Sequence, residues 1–226
     1  MDFGFILEIF PSLVRTLPLT FYIVIVTAVL GFLFAVIVTA LRIKRIPVIS
    51  QILELYTSFM RSTPGLIHIF IVYYGLPVLF NAIRVDINFI SRVTFSITAL
   101  VLYNAAFVSE ILRPSYLAVS NEQHEAAISV GMTTWQRLTR IIFPQVWPIA
   151  LPSLGNALID LLKDTSLLFL IGLVDIMGQA DIIIANTYGI YQLEVYFTIA
   201  LIYWACSFLL EQVIRWMEMR TSKYIR

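Results

Sequence analysis

A chain of 226 residues in which 60% of side chains are hydrophobic and only 13% charged is too apolar for a water-soluble domain. Its uncharged runs approach or exceed the roughly 20 residues that cross a bilayer, so the composition describes an integral membrane protein. The formal net charge of +1 gives no reason to expect nucleic acid or an acidic substrate, and the lone Cys206 excludes an internal disulfide and any multi-cysteine metal site.

The N-terminus carries Asp2 and Glu8 without a basic region before the first apolar run, which argues against a cleaved signal peptide. Five all-α spans are predicted, at about 16–41, 53–80, 92–115, 145–175 and 193–214. Arg42-Ile43-Lys44-Arg45 followed by Pro47 reads as a tight turn after the first. Pro144, Pro148 and Pro152 cluster where the fourth begins and predict a bent or irregular helix start. No repeat or linker is visible, so residues 1–226 read as one domain.

An odd number of spans puts the termini on opposite sides. Arg42, Lys44, Arg45, Arg113, Arg137, Arg140, Arg215, Arg220, Lys223 and Arg226 fall in one set of flanking segments, against Arg15, Arg84 and Arg92 in the other. The excess of Lys and Arg marks the cytoplasmic side, so the N-terminus is expected outside and the C-terminus in the cytoplasm.

Between the third and fourth spans lies the chain's most polar stretch, Ser120-Asn121-Glu122-Gln123-His124-Glu125-Ala126-Ala127-Ile128-Ser129-Val130-Gly131. Ser120 and Gln123 have the spacing of a capping box, and Glu122 and Glu125 suit the positive end of a helix. Gly131 can take the left-handed conformation that stops this helix; Thr133 and Gln136 repeat the capping spacing, and Pro144 is expected to end the second helix. The prediction is two short helices at a sharp elbow.

Ionisable groups inside spans are costly and are functional candidates by default. Arg61 lies in Arg61-Ser62-Thr63-Pro64, Glu110 in Ser109-Glu110-Ile111-Leu112-Arg113, and Asp160, Lys163 and Asp164 on the fourth span. At 1.5 Å per residue, Arg61, Lys163 and Asp164 reach a similar middle depth, where they could line one polar cavity. One reading is that these opposite charges receive the ammonium and carboxylate of an amino acid. The other is mutual neutralisation, since Asp160 and Lys163 share a helical face. Glu110 could instead brace the loop through Arg113. His68, amid Leu66-Ile67-His68-Ile69-Phe70, reads as a packed, hydrogen-bonded histidine, and Tyr73 and Tyr74 as interface anchors.

Glu-Ala-Ala at 125–127, Gly131, then Ile141 and Pro144 resembles the cytoplasmic loop of bacterial ABC importer permeases. Phe143 replaces the family's usual Leu, and Glu122 stands where Gly is common. Arg61-Ser62-Thr63-Pro64, Tyr73-Tyr74-Gly75-Leu76-Pro77, Asn104-Ala105-Ala106-Phe107-Val108-Ser109-Glu110 and Lys163-Asp164-Thr165-Ser166-Leu167 extend the likeness to the permease family for polar amino acid uptake, over nearly the whole chain. Ser62-Thr63-Pro64 and Asn104-Ala105 look most like the cystine-importing branch; histidine, glutamine and arginine permeases share most of the same words. Arg113-Pro114-Ser115 replaces the usual Arg-Gly-Gly, and Ser62 a common Gly.

The resemblance implies a type I ABC importer permease with five transmembrane helices, in a bacterial inner or plasma membrane, without ATPase activity of its own. It implies a second copy or a similar permease, a cytoplasmic ATPase dimer that carries ATP and Mg, and an extracellular substrate-binding protein. Gln123, Glu125, Ala126, Ala127 and Gly131 would then form the coupling helix that docks in a groove on the ATPase. Arg61, Thr63, Glu110, Asp160, Lys163, Asp164, Thr165 and Ser166 would be the candidates for substrate contact.

The residues also weigh against other classes. His124-Glu125 begins like a zinc-protease helix, but Ile128 occupies the place of its second His, and no Gly-Lys pair exists to build a phosphate-binding loop. An ion-gradient-driven secondary transporter remains the alternative, and it would usually show repeated halves.

Overall fold

The computed structural model describes residues 1–221, so Lys223 and Arg226, two of the orienting cations, lie outside the described residues. All regular structure among them is helical: α1 Phe3–Val14, α2 Leu17–Ile43, α3 Ile49–Ser62, α4 Gly65–Ala82, α5 Arg92–Leu117, α6 Asn121–Ser129, α7 Thr134–Ile171, α8 Ile176–Asn186 and α9 Gln192–Thr221. Four of these, α2, α4, α5 and α9, are long and apolar enough to cross a bilayer, and α7 with α8 makes a fifth when the bent pair counts as one.

Three of the predicted spans coincide with α2, α5 and α9, and two need correction. The run 53–80 is not one helix: Thr63 is extended (φ −116°, ψ 147°), because the ring of Pro64 disfavours helical backbone in the residue before it. The amphipathic α3 therefore ends at Ser62 and only α4 qualifies as a span. The fourth span does not stop at 175 either; Gly172 adopts φ +76°, and α8 leaves at 46° to α7. Pro144 does not end a helix. A π-helical turn at Leu138–Ile142 carries the chain into it. A second such turn, Ile71–Gly75, precedes Pro77. In each case the carbonyl that would have bonded the missing proline N–H belongs to the π turn, at Arg140 and Tyr73, so the irregular turn absorbs the proline without breaking the helix.

The core forms where α2, α5 and α7 meet. Ile23, Leu100, Leu161, Leu162 and Leu168 are fully or almost fully buried there. Toward one end the three helices approach on small side chains, Ala35, Ala105 and Ala150. Gly31 permits similar closeness: a Cβ on it would stand 2.8 Å from Oδ1 of Asn104. A separate cluster of Leu13, Ile176, Ala180 and Val195 joins α1, α8 and α9. The outer face of α2 leaves Val29, Leu33, Val36 and Ile37 exposed, as suits a helix whose solvent on that side is hydrocarbon.

Candidate functional site

The broken connection between α3 and α4 is held by His68, which is 2% exposed. The Thr63 hydroxyl donates its one proton to the Phe59 carbonyl at 2.8 Å, so Nε2 of His68 must carry the hydrogen it directs to Thr63 Oγ1 at 2.7 Å and the Met60 carbonyl at 3.2 Å. Phe59 and Tyr103 pack on its ring. His68 is thus the packed, hydrogen-bonded residue expected, and Thr63 is spent on the same junction. Tyr74 is exposed and Tyr73 packs edge-on against Phe95.

This junction sets Arg61 on the wall of a cavity of about 630 Å³ between α3, α5 and α7. Lys163 and Asp164 face the same space, as their depth predicts, and so do Glu110 and Asp160. Thr63, Thr165 and Ser166 do not line it; Thr165 is buried and its hydroxyl donates to the Leu162 carbonyl at 2.7 Å. Asp160 and Lys163 pair at 3.1 Å, both side chains more than half exposed. Such a pair contributes only about 0.2–0.5 kcal/mol, so a ligand's charged groups can displace it.

Glu110 is not braced through Arg113. Its carboxylate lies between two guanidiniums, accepting from Arg42 of α2 and standing 3.3 Å from Arg61. The Arg42 side chain is only 8% exposed. Nothing local in the sequence marks Arg42 for this role: it reads as one more topology-setting cation, and its partner is 68 residues away. Tyr103, Asn104, Phe107, Ser153 and Asn156 also line the cavity. Their signal was helical spacing, since 153, 156, 160 and 163 fall on one face of α7 and 103, 107 and 110 on one face of α5.

The polar loop turns at Gly131 as predicted, but only its first helix is short, since the second runs on as α7. Gly131 has φ +77° with no atom within 4 Å of where a Cβ would stand, so glycine is favoured there by conformation and not by space. The Thr133–Gln136 capping box is made in both directions. Ser120 occupies its cap position, but its side chain makes no capping bond, and only its carbonyl receives the Gln123 N–H, at 3.1 Å. Gln123, Glu125 and Ala126 are exposed, whereas Ala127 is 4% exposed and faces its own chain. Helix α6 rests on the 138–142 turn of α7. His124 packs on Tyr116, and burial, with the nearby Arg137 charge, lowers its imidazole from the ordinary histidine value and favours the neutral form.

Residues 31–223 match the family of binding-protein-dependent transport system inner membrane components. The chain belongs to that family. The permease is 37% identical over 226 residues to the probable amino-acid ABC transporter permease protein PatM of Vibrio harveyi, covering 100% of this chain and 99% of that one. It is 36% identical over 222 residues to the L-cystine transport system permease protein TcyL of Bacillus subtilis, covering 98% and 92%. A solved structure described as an amino acid ABC transporter with histidines superposes with a TM-score of 0.82 at 29% identity, over 97% of this chain and 99% of that one. The methionine transporter MetNI, at 17% identity and a TM-score of 0.71, shares the fold. The permease is accordingly an all-helical ABC importer subunit, not an ion-driven carrier, and ATP hydrolysis belongs to a separate polypeptide.

Proposed function

We propose that the permease carries a polar amino acid through the cavity between α3, α5 and α7, with cystine the favoured substrate. The observation that carries this is the charge set of the cavity: the cations Arg61 and Lys163 and the carboxylates Asp160 and Asp164 face one space. An amino acid presents one ammonium and one carboxylate at fixed separation, and cystine presents two of each. In this reading Arg61, half exposed and held from behind by Glu110, takes a substrate carboxylate. Lys163 exchanges Asp160 for a second carboxylate, and Asp160 and Asp164 receive ammonium groups. Likeness to a cystine permease supports the substrate. Glu110 is then a positioning residue, since both cations beside it already engage its carboxylate. Thr63 and Thr165 spend their hydroxyls on backbone carbonyls, and with Ser166 they stand off the cavity wall and do not touch substrate.

The N-terminus lies outside and the elbow in the cytoplasm, where Gln123, Glu125, Ala126 and Gly131 meet the ATPase that binds ATP and Mg. Ala127 supports that helix from within. An extracellular binding protein delivers substrate, and a second copy or a similar permease completes the pathway. Closure of the ATPase dimer moves α6, and α7, on whose 138–142 turn α6 rests, transmits the motion to Asp160, Lys163 and Asp164.

The test is uptake into proteoliposomes containing the complete transporter, with its binding protein outside and ATP inside. ATP-dependent cystine uptake, blocked by excess unlabelled cystine and unaffected by collapsing ion gradients, is the expected result. Uptake driven by another amino acid's binding protein alone would refute the substrate, and uptake without ATP would refute the coupling.

A further inference from the structure

Between the last turns of α2 and the start of α7 lies a second cavity of about 520 Å³. Its walls are apolar and aromatic, with Phe32, Val36, Leu112, Phe143 and Trp147 among them. Two cations, Lys44 and Arg137, stand on it, and no Asp or Glu lines it. Neither cation forms an ion pair among the described residues, although Arg42, two positions before Lys44, is bound to Glu110. The Nε of Arg137 is buried without a hydrogen-bond partner. Lys44 follows directly on the last residue of α2, a helix long and apolar enough to cross a bilayer, so the charged end of the groove lies at the end of that helix while its apolar wall runs back along it through Ile43, Val36 and Phe32. A free anion would need no apolar wall, and an acidic peptide would need polar partners along it. A molecule with an anionic head and acyl chains satisfies both halves.

We propose that this groove binds one anionic phospholipid per permease chain, its phosphate between Lys44 and Arg137 and an acyl chain along Val36, Phe143 and Trp147. The lipid bridges α2 and the helix that leads out of the elbow. The experiment uses the complete transporter, delipidated in detergent, titrated with phosphatidylglycerol or phosphatidylcholine, and read by native mass spectrometry. Phosphatidylglycerol should saturate at one per permease chain at concentrations where phosphatidylcholine leaves the groove empty. Lys44→Ala and Arg137→Ala should each weaken binding about fivefold, the contribution of one basic residue near a lipid surface. Lys44→Arg should retain it, and Val36→Trp, which fills the trench and leaves both charges, should abolish it. Equal binding of the two lipids, or full binding to the Lys44→Ala/Arg137→Ala double variant, overturns the proposal. So does displacement by millimolar inorganic phosphate, which would make this a free-anion site. Loss of the ATPase subunit from Arg137→Ala with lipid binding unchanged in Lys44→Ala would assign the groove to the ATPase contact instead.

Discussion

Glu110 and Asp160 are carboxylates on one cavity, each beside a cation, yet they are built for opposite ends. Glu110 joins two helices through Arg42, whose side chain is 8% exposed against 25% for Glu110 itself. Asp160 reaches Lys163 on its own helix, with side chains 69% and 58% exposed. A charge held by burial is part of the scaffold, whereas a charge held by an exposed neighbour can change partners. The comparison separates what shapes the cavity from what meets the cargo.

The largest effect should come from the buried side. Glu110→Ala strands Arg42 without its counter-charge, a change that costs about 3–5 kcal/mol when one partner of a buried pair is removed. The purified complex should melt markedly lower and transport should vanish. Glu110→Leu with Arg42→Met removes both charges together and should recover most of the stability, though not transport, because Arg61 has lost its support. Wild-type melting of Glu110→Ala would show that Arg42 finds water or another acceptor, and would erase the contrast.

The elbow offers a comparable pair in adjacent alanines. Ala127 is buried, so Ala127→Arg should destabilise the loop by about 1–3 kcal/mol through overpacking, visible as increased proteolysis of the permease before any partner is added. Ala126 is exposed, and Ala126→Arg should leave the permease intact while lowering recovery of the ATPase on copurification. Loss of the ATPase from both variants with no change in protease sensitivity would mean that the two side chains share one surface.

Such distinctions mark where sequence reading ends. Uncharged runs located α2, α5 and α9, because hydropathy alone decides what enters a bilayer. The elbow was legible because Gly131, Thr133 and Gln136 act through local backbone chemistry. The break at Thr63 carried its own signal in Pro64, but a continuous apolar run outweighed it. The Asp160–Lys163 pair was readable at i, i+3, whereas Arg42 and Glu110 meet only through the packing of α2 on α5. Which of two alanines faces inward depends on where α6 rests on α7, and nothing local encodes that.

Gly131→Val should come next in size. A left-handed backbone costs a side-chain-bearing residue about 1–2 kcal/mol, more for a β-branched one, and the empty space around Gly131 makes the penalty purely conformational. Membrane insertion and cavity geometry should survive while substrate-stimulated ATPase activity of the reconstituted complex falls. Gly131→Asn, which tolerates this conformation, should lie between. Full stimulation with valine would show that the elbow need not keep its angle to transmit closure.

The smallest structural effect belongs to the exposed pair, and it carries the sharpest functional consequence. Replacing Asp160 by Leu and Lys163 by Met removes an interaction contributing about 0.2–0.5 kcal/mol, so the double variant should assemble, melt near wild type and keep its basal ATPase activity. If these charges only neutralise each other, transport should also persist, because both are removed together. If they meet the substrate's ammonium and carboxylate groups, transport should collapse with a rise in half-saturation, and most steeply for a substrate with two of each. The Glu110→Leu/Arg42→Met variant provides the control, since it too removes a pair from this region but acts on the position of Arg61. A Asp160→Leu/Lys163→Met transporter that imports cystine at the wild-type rate and half-saturation would leave Arg61 and Asp164 as the remaining cavity charges able to recognise it.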